Sequence, residues 1–95
     1  MLFLVRVLSS LPATMDPGDR ANLIRRERER GEQLRRQGVI AHIWRIPGTM
    51  DNVGVWDCAS ADEVHEAVQS LPAYPWMHVE VTALATHPLS AVARE

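Results

Sequence analysis

The sequence predicts an α+β sandwich in which two helices cover one face of a four-stranded antiparallel sheet. Three observations carry this. Apolar β-rich segments and helical segments follow the order β-α-β-β-α-β. The connections are short, and crossovers within one sheet are right-handed. The chain has 95 residues, enough for one domain over 1–95 and hardly for two. Together these give the ferredoxin-like split βαβ arrangement.

Residues 2–8, LFLVRVL, are apolar with one charge and predict the first strand. Ser9, Ser10 and Pro12 end it. Asp16-Pro17 opens a helix, because aspartate caps free amides and proline suits the first helical position. Gly38 closes it, so the helix runs over roughly 17–37. Arg35 and Arg36 complement the dipole in its last turn. Residues 39–46, VIAHIWRI, predict a second strand, and Pro47-Gly48 and the polar residues to Asp51 form a turn. Residues 52–58, NVGVWDC, predict a third strand, paired antiparallel to the second across this short connection. Ser60 to Glu63 is a capping box. The helix it opens puts Val64, Ala67, Val68 and Leu71 on one face, and Pro72 and Pro75 break the chain after it. Residues 77–85, MHVEVTALA, alternate apolar and polar and predict the fourth strand. The tail from His87-Pro88 reads as irregular.

Two helices leave the other sheet face bare. Trp44, Trp56, Trp76 and several valines and isoleucines are too many for a wholly wet face. A partner subunit is therefore expected there, which would also help so small a domain.

Composition removes several function classes. Net charge is −2, so no global pull toward nucleic acid or anionic membrane exists. All ten basic residues are arginine. Without lysine there is no Schiff base, and a bound carboxylate would meet a guanidinium fork. Cys58 is the one cysteine, so no disulfide forms within the chain, which fits a reducing compartment. It ends a strand without a motif and reads as a buried, inert thiol. Arg6 interrupts the apolar start, so no signal peptide is expected. No apolar run approaches the ~20 residues of a membrane span. The four histidines are scattered, so no metal site is expected. No glycine-rich phosphate loop is present. The arginines from 25 to 36 are interleaved with Glu27, Glu29 and Glu32, the pattern of a solvated face rather than an RNA-binding helix.

The first helix is the informative element. At ~100° per residue, Leu23, Ile24, Gly31 and Leu34 form one stripe, and Glu27 lies inside it. The other charges, including Arg25, Arg26, Arg28, Glu29, Glu32 and Arg36, spread over the outer faces. Burial raises a carboxyl pKa, and a raised pKa makes a usable base near neutral pH. Gly31 costs roughly 1 kcal/mol of helix stability relative to alanine. It would leave room for a ligand beside Glu27, or allow close helix–sheet packing. Two readings of Glu27 stand: a general base, or a core-side acid that snorkels or pairs with one of the seven arginines on its own helix.

His42 alternates with Ile40, Trp44 and Ile46 on one strand face. It is either a satisfied histidine near the core or a hydrogen-bonding group of a site. Arg45 points to the opposite face, so the two share a pocket only across a bulge or a subunit boundary. His65 flanks the second helix's apolar stripe and reads as structural. His78 belongs to a strand face or interface, and His87 could fold over a pocket.

Three blocks carry a family resemblance: the start MLFLVRV, LRRQG-x-x-x-HIWRI-x-G, and LP-x-YP-W-M-x-VEV followed by HP. In this order, from Met1 to about Ser90, they resemble muconolactone isomerases. The resemblance implies a ferredoxin-like fold and intertwined dimers in a ring-like assembly, commonly a decamer. It implies a cytoplasmic enzyme of aromatic catabolism on the β-ketoadipate route. The substrate would be muconolactone, the product the β-ketoadipate enol-lactone, and no cofactor would be required. Glu27 carries over as the base. His42 and Asn52 carry over as groups that bind the lactone oxygens, Trp44 as a pocket wall, and Arg45 as a candidate for the substrate carboxylate. The chain departs from the family pattern where members often carry lysine (Ile24 here), serine (Gly54), tyrosine or phenylalanine (Trp56 and Trp76) and a basic residue (Thr86). Such changes would favour a different lactone if those groups bind substrate. Two alternatives remain: a chloromuconolactone dehalogenase, and a non-catalytic ligand-binding module on the same fold.

Overall fold

A computed structural model describes residues 1–92. Its strands are β1 (Leu2–Ser9), β2 (Ile40–Arg45), β3 (Asn52–Asp57) and β4 (Met77–Leu84). Its helices are α1 (Pro17–Arg36), α2 (Ala61–Gln69) and the short α3 (Pro88–Val92). The sheet order is β2-β3-β1-β4 with every pair antiparallel, which is the predicted sandwich. Strand and α1 boundaries move by a single residue from their predicted positions. The tail is a correction. It was expected to be irregular, yet Pro88 opens a helical turn, and the His87 ring nitrogen Nδ1 accepts the Leu89 N–H at 3.0 Å. Residues 93–95 of that expected tail lie outside the described residues.

Local chemistry sets the helix ends. The Asp16 carboxylate accepts the N–H groups of Gly18 at 3.0 Å and Asp19 at 3.1 Å. At the other end Gly38 takes φ +80°, a value that suits glycine, and the Val39 N–H returns to the Leu34 carbonyl at 2.9 Å. Ser60 Oγ accepts the Glu63 N–H at 3.2 Å. Glu63 reaches back to the N–H of Ala59, one residue before the position a capping box would use.

Alternation along β1 separates the two sheet faces. Phe3, Val5 and Val7 are buried and pack with Leu34 of α1 and Val64 and Val68 of α2. Leu2, Leu4 and Arg6 point the other way and are exposed. Trp56 pairs with Phe3 and is 1% exposed, so it belongs to the helix-side core and not to the bare face. Trp76 is half-buried in a 3₁₀ turn before β4. Of the three tryptophans, only Trp44 stands on the bare face, 56% exposed, on the edge strand β2 opposite Val53; Leu2, Leu4 and Leu84 are exposed elsewhere on the same face.

A bulge in β2 overturns one expected alternation. The pairing steps from Ile40 opposite Trp56 to His42 opposite Val55. Ile40 therefore faces the core and His42 the bare side, where a regular strand would have put both on one face. Beyond the bulge His42 and Trp44 share the bare face, while Ile43 and Arg45 turn to the helix side. Gly54 makes this possible, because a Cβ there would lie 2.5 Å from the His42 carbonyl oxygen.

Candidate active site

At one end of the sandwich, α1 stands off the sheet and leaves a cavity of about 290 Å³. Arg20, Leu23, Ile24, Glu27 and Arg28 of α1 form one wall. Val7 and Ser9 of β1, Arg45 of β2, Asn52 of β3 and Met77 of β4 form the other. The register explains the second wall: Arg45 is opposite Asn52, which is opposite Val7, so all three share the helix-side face. Ala73, from the bend after α2, closes the cavity beside Glu27.

Glu27 is half-buried, as its position in the apolar stripe predicts. Its Oε1 accepts the backbone N–H of Ala73 at 2.8 Å. Burial pushes the carboxyl above its ordinary value of 4.5, and the Ala73 hydrogen bond offsets part of that rise. Among the described residues no arginine lies within salt-bridge distance of it. Three of the seven α1 arginines find other partners. Arg25 pairs with Glu29 at 3.1 Å, Arg35 pairs with Glu32, and Arg30 donates to Ser70 Oγ at 2.9 Å. Pairing with a helix arginine is thus not what keeps this acid on the core side.

The site residues expected from sequence divide between the two sheet faces. Glu27, Arg45 and Asn52 meet at the cavity. His42 and Trp44 do not line it. They stack on each other on the bare face, ring centroids 5.7 Å apart and planes 9° from parallel. Arg28 was expected on an outer face but lines the cavity. Gly31 neither lines the cavity nor touches the sheet closely, since a Cβ there would meet nothing within 4 Å. Both reasons expected for it therefore fail. His65 is exposed beside a separate apolar hollow between α2 and β4. His78 is exposed, with Nε2 3.6 Å from Glu80. His87 caps α3 and does not line the cavity. Cys58 is buried, and burial raises its thiol pKa, which makes it a poor nucleophile. Among the described residues no three His, Cys, Asp or Glu side chains come together to hold a metal. No described helix is long and apolar enough to cross a membrane.

Sequence reasoning missed the Ala73 amide and Arg20. A main-chain donor leaves no residue-type signal. Arg20 had one: it lies seven positions before Glu27, on nearly the same helix face at ~100° per residue.

A sheltered carboxylate opening on a small cavity with guanidinium groups at its walls is an arrangement that suits an acid–base enzyme, here on a ferredoxin-like scaffold. A family model described as Muconolactone delta-isomerase matches residues 1–90, and the chain belongs to the muconolactone delta-isomerase family. The Muconolactone Delta-isomerase of Acinetobacter baylyi is 46% identical over 91 residues, covering 95% of this chain and 94% of the relative. That of Pseudomonas putida is 38% identical over 90 residues, covering 95% of this chain and 94% of the relative. A crystal structure of muconolactone isomerase matches with a TM-score of 0.87 at 39% identity, over 93% of this chain and 92% of that one.

Proposed function

We propose that this protein shifts the ring double bond of muconolactone to give the β-ketoadipate enol-lactone, with Glu27 carrying the proton. The observation that carries this is the half-buried Glu27 carboxylate, anchored by the Ala73 amide and open to a cavity of about 290 Å³. The ring C–H next to the ring oxygen is acidic because it is vinylogous to the lactone carbonyl. Glu27 takes that proton. The electron pair moves through the ring double bond onto the carbonyl oxygen, giving a dienolate. Glu27 then returns the proton to the carbon beside the carbonyl, and the double bond ends between the other two ring carbons. Ala73 occupies Oε1, which leaves Oε2 free to serve both carbons from one ring face. A pKa raised by burial suits a group that must accept and then release a proton.

Asn52 and Arg45 stand on the wall facing Glu27. In this reading they receive the lactone oxygens, where the dienolate charge gathers. His42 and Trp44 are assigned to a boundary between subunits, from which they would reach a site only in a neighbour. The exposed Leu2, Leu4 and Trp44 support burial of this face by a second copy. Dimers of this kind assembled into a decamer in the cytoplasm complete the proposal.

The test is turnover in deuterium oxide. Purified protein should convert muconolactone to the enol-lactone, with deuterium entering beside the carbonyl in part of the product. Chloride release from the chloro analogue, without isomerisation of muconolactone, would assign the protein as a dehalogenase. Inertness toward both compounds would favour a non-catalytic module.

A further inference from the structure

We infer that Arg20 and Arg28, on the same wall as Glu27, hold the substrate's carboxylate, and that Arg45 does not. This rests on the isomerase reading given above. Three arginines line the cavity, while Glu27 is its one acid. Among the described residues none of the three has a carboxylate within 4.0 Å. That is telling for Arg20 and Arg28, because Asp19, Glu29 and Glu32 lie on the same helix and are used by other groups or left to solvent. Arg45 stands on the opposite wall with Asn52, and its Nη1 donates to the Met50 carbonyl at 2.6 Å, which holds it at the turn between β2 and β3.

Substrate geometry is consistent with this choice. The carboxymethyl group and the lactone carbonyl leave the ring on opposite sides, while Glu27 serves the two ring carbons from one face. A carboxylate held by Arg20 and Arg28 on the α1 wall therefore leaves the carbonyl facing Asn52 and Arg45 on the sheet wall. Arg20 and Arg28 flank Ile24, which offers the ring an apolar seat between two guanidinium groups. Positive charge there also offsets the repulsion between the substrate anion and the ionised base. A guanidinium fork accepts a carboxylate in two parallel hydrogen bonds.

The experiment compares muconolactone with its neutral methyl ester in the wild type, Arg20→Met, Arg28→Met, the double variant and Arg45→Met. Loss of a charge-assisted hydrogen bond predicts a fall of about tenfold to a hundredfold in kcat/KM for the acid, mostly in KM. Ester turnover should barely change, so the double variant loses its preference for the acid while Arg45→Met keeps it. The clamp is overturned if Arg45→Met abolishes that preference and the double variant retains it, or if the double variant loses acid and ester equally. Calorimetry with a saturated carboxymethyl lactone, which binds but cannot isomerise, separates the two ideas. Wild-type binding that the double variant loses supports the clamp even where no turnover occurs. Binding unchanged in the double variant rejects it.

Discussion

The backbone N–H of Ala73 donates to Oε1 of Glu27 at 2.8 Å, joining residues 46 positions apart in the chain. This bond fixes the carboxylate on the cavity side of α1 without neutralising it. It also lowers the carboxyl pKa, but burial is the larger effect and the net shift is upward. An arginine in place of the amide would have pulled the pKa down and made the carboxylate less basic.

Replacing Glu27 by glutamine should reduce turnover by about 10² to 10⁴, the usual worth of a positioned acid–base group. The amide oxygen of glutamine can still accept the Ala73 hydrogen bond, so the fold should survive. Circular dichroism and a lactone absorbance assay on the same sample decide this. Activity within a few-fold of wild type would remove Glu27 from the mechanism.

The raised pKa also has a stability sign. Between 4.5 and the higher folded value, the folded state binds more protons at Glu27 than the unfolded state does. Stability from this group therefore falls as pH rises through that window and stays lower above it. Glutamine does not ionise. Glu27→Gln should consequently melt higher than wild type at pH 7, with the gap closing as pH drops below 4.5. The acid limb of wild-type kcat/KM should lie above 4.5 for the same reason. Melting curves of both proteins against pH, alongside the wild-type rate profile, test both statements.

The fold was largely legible because its boundaries are punctuated by side chains with local jobs. Asp16, Pro17, Gly38 and Ser60 each act within a few residues, so their sequence positions suffice. Glu27 was legible because helical periodicity exposes an acid on an apolar stripe. The β2 bulge was hidden, since VIAHIWRI reads as one continuous strand. Its trace in the sequence was Gly54 on the neighbouring strand, and an isolated strand glycine signals close backbone approach. His42 was grouped with the site through family resemblance, while the sheet carries it to the opposite face. Arg20 and Arg28 were lost among seven similar helix arginines, because charge alone does not show which ones face inward.

Ile24 offers a direct probe of Glu27's environment. It is half-buried and lines the cavity wall with the acid. Ile24→Lys should place a cation near the carboxylate and lower its pKa. The acid limb of kcat/KM should move to lower pH, and KM for the anionic substrate should fall. An unmoved limb would mean that position 24 and Glu27 are electrostatically separate.

Gly54→Ala should destabilise the protein by about 1–3 kcal/mol, the usual range for overpacking. The added methyl would sit 2.5 Å from a backbone oxygen, and backbone cannot rotate away as a side chain can. Urea unfolding would read this as a lower midpoint at unchanged slope. An unchanged midpoint would show that β2 and β3 are not in such close contact at the bulge.

Leu4 lies on the bare face of the central strand β1, opposite Val55 on one side and Thr82 on the other. It is 38% exposed, and its neighbours on this face include Leu2, Val55 and Leu84. Leu4→Arg puts a charge where the proposed partner subunit would bury apolar surface. Its side chain points away from the helix-side core, so the subunit should still fold. Burying an unpaired charge is expensive, which should drive the assembly apart. Light scattering after size exclusion should give a multiple of the 10.7 kDa chain for wild type and a smaller species for the variant. If both run at the same mass with the same circular dichroism, this face is not the contact between subunits.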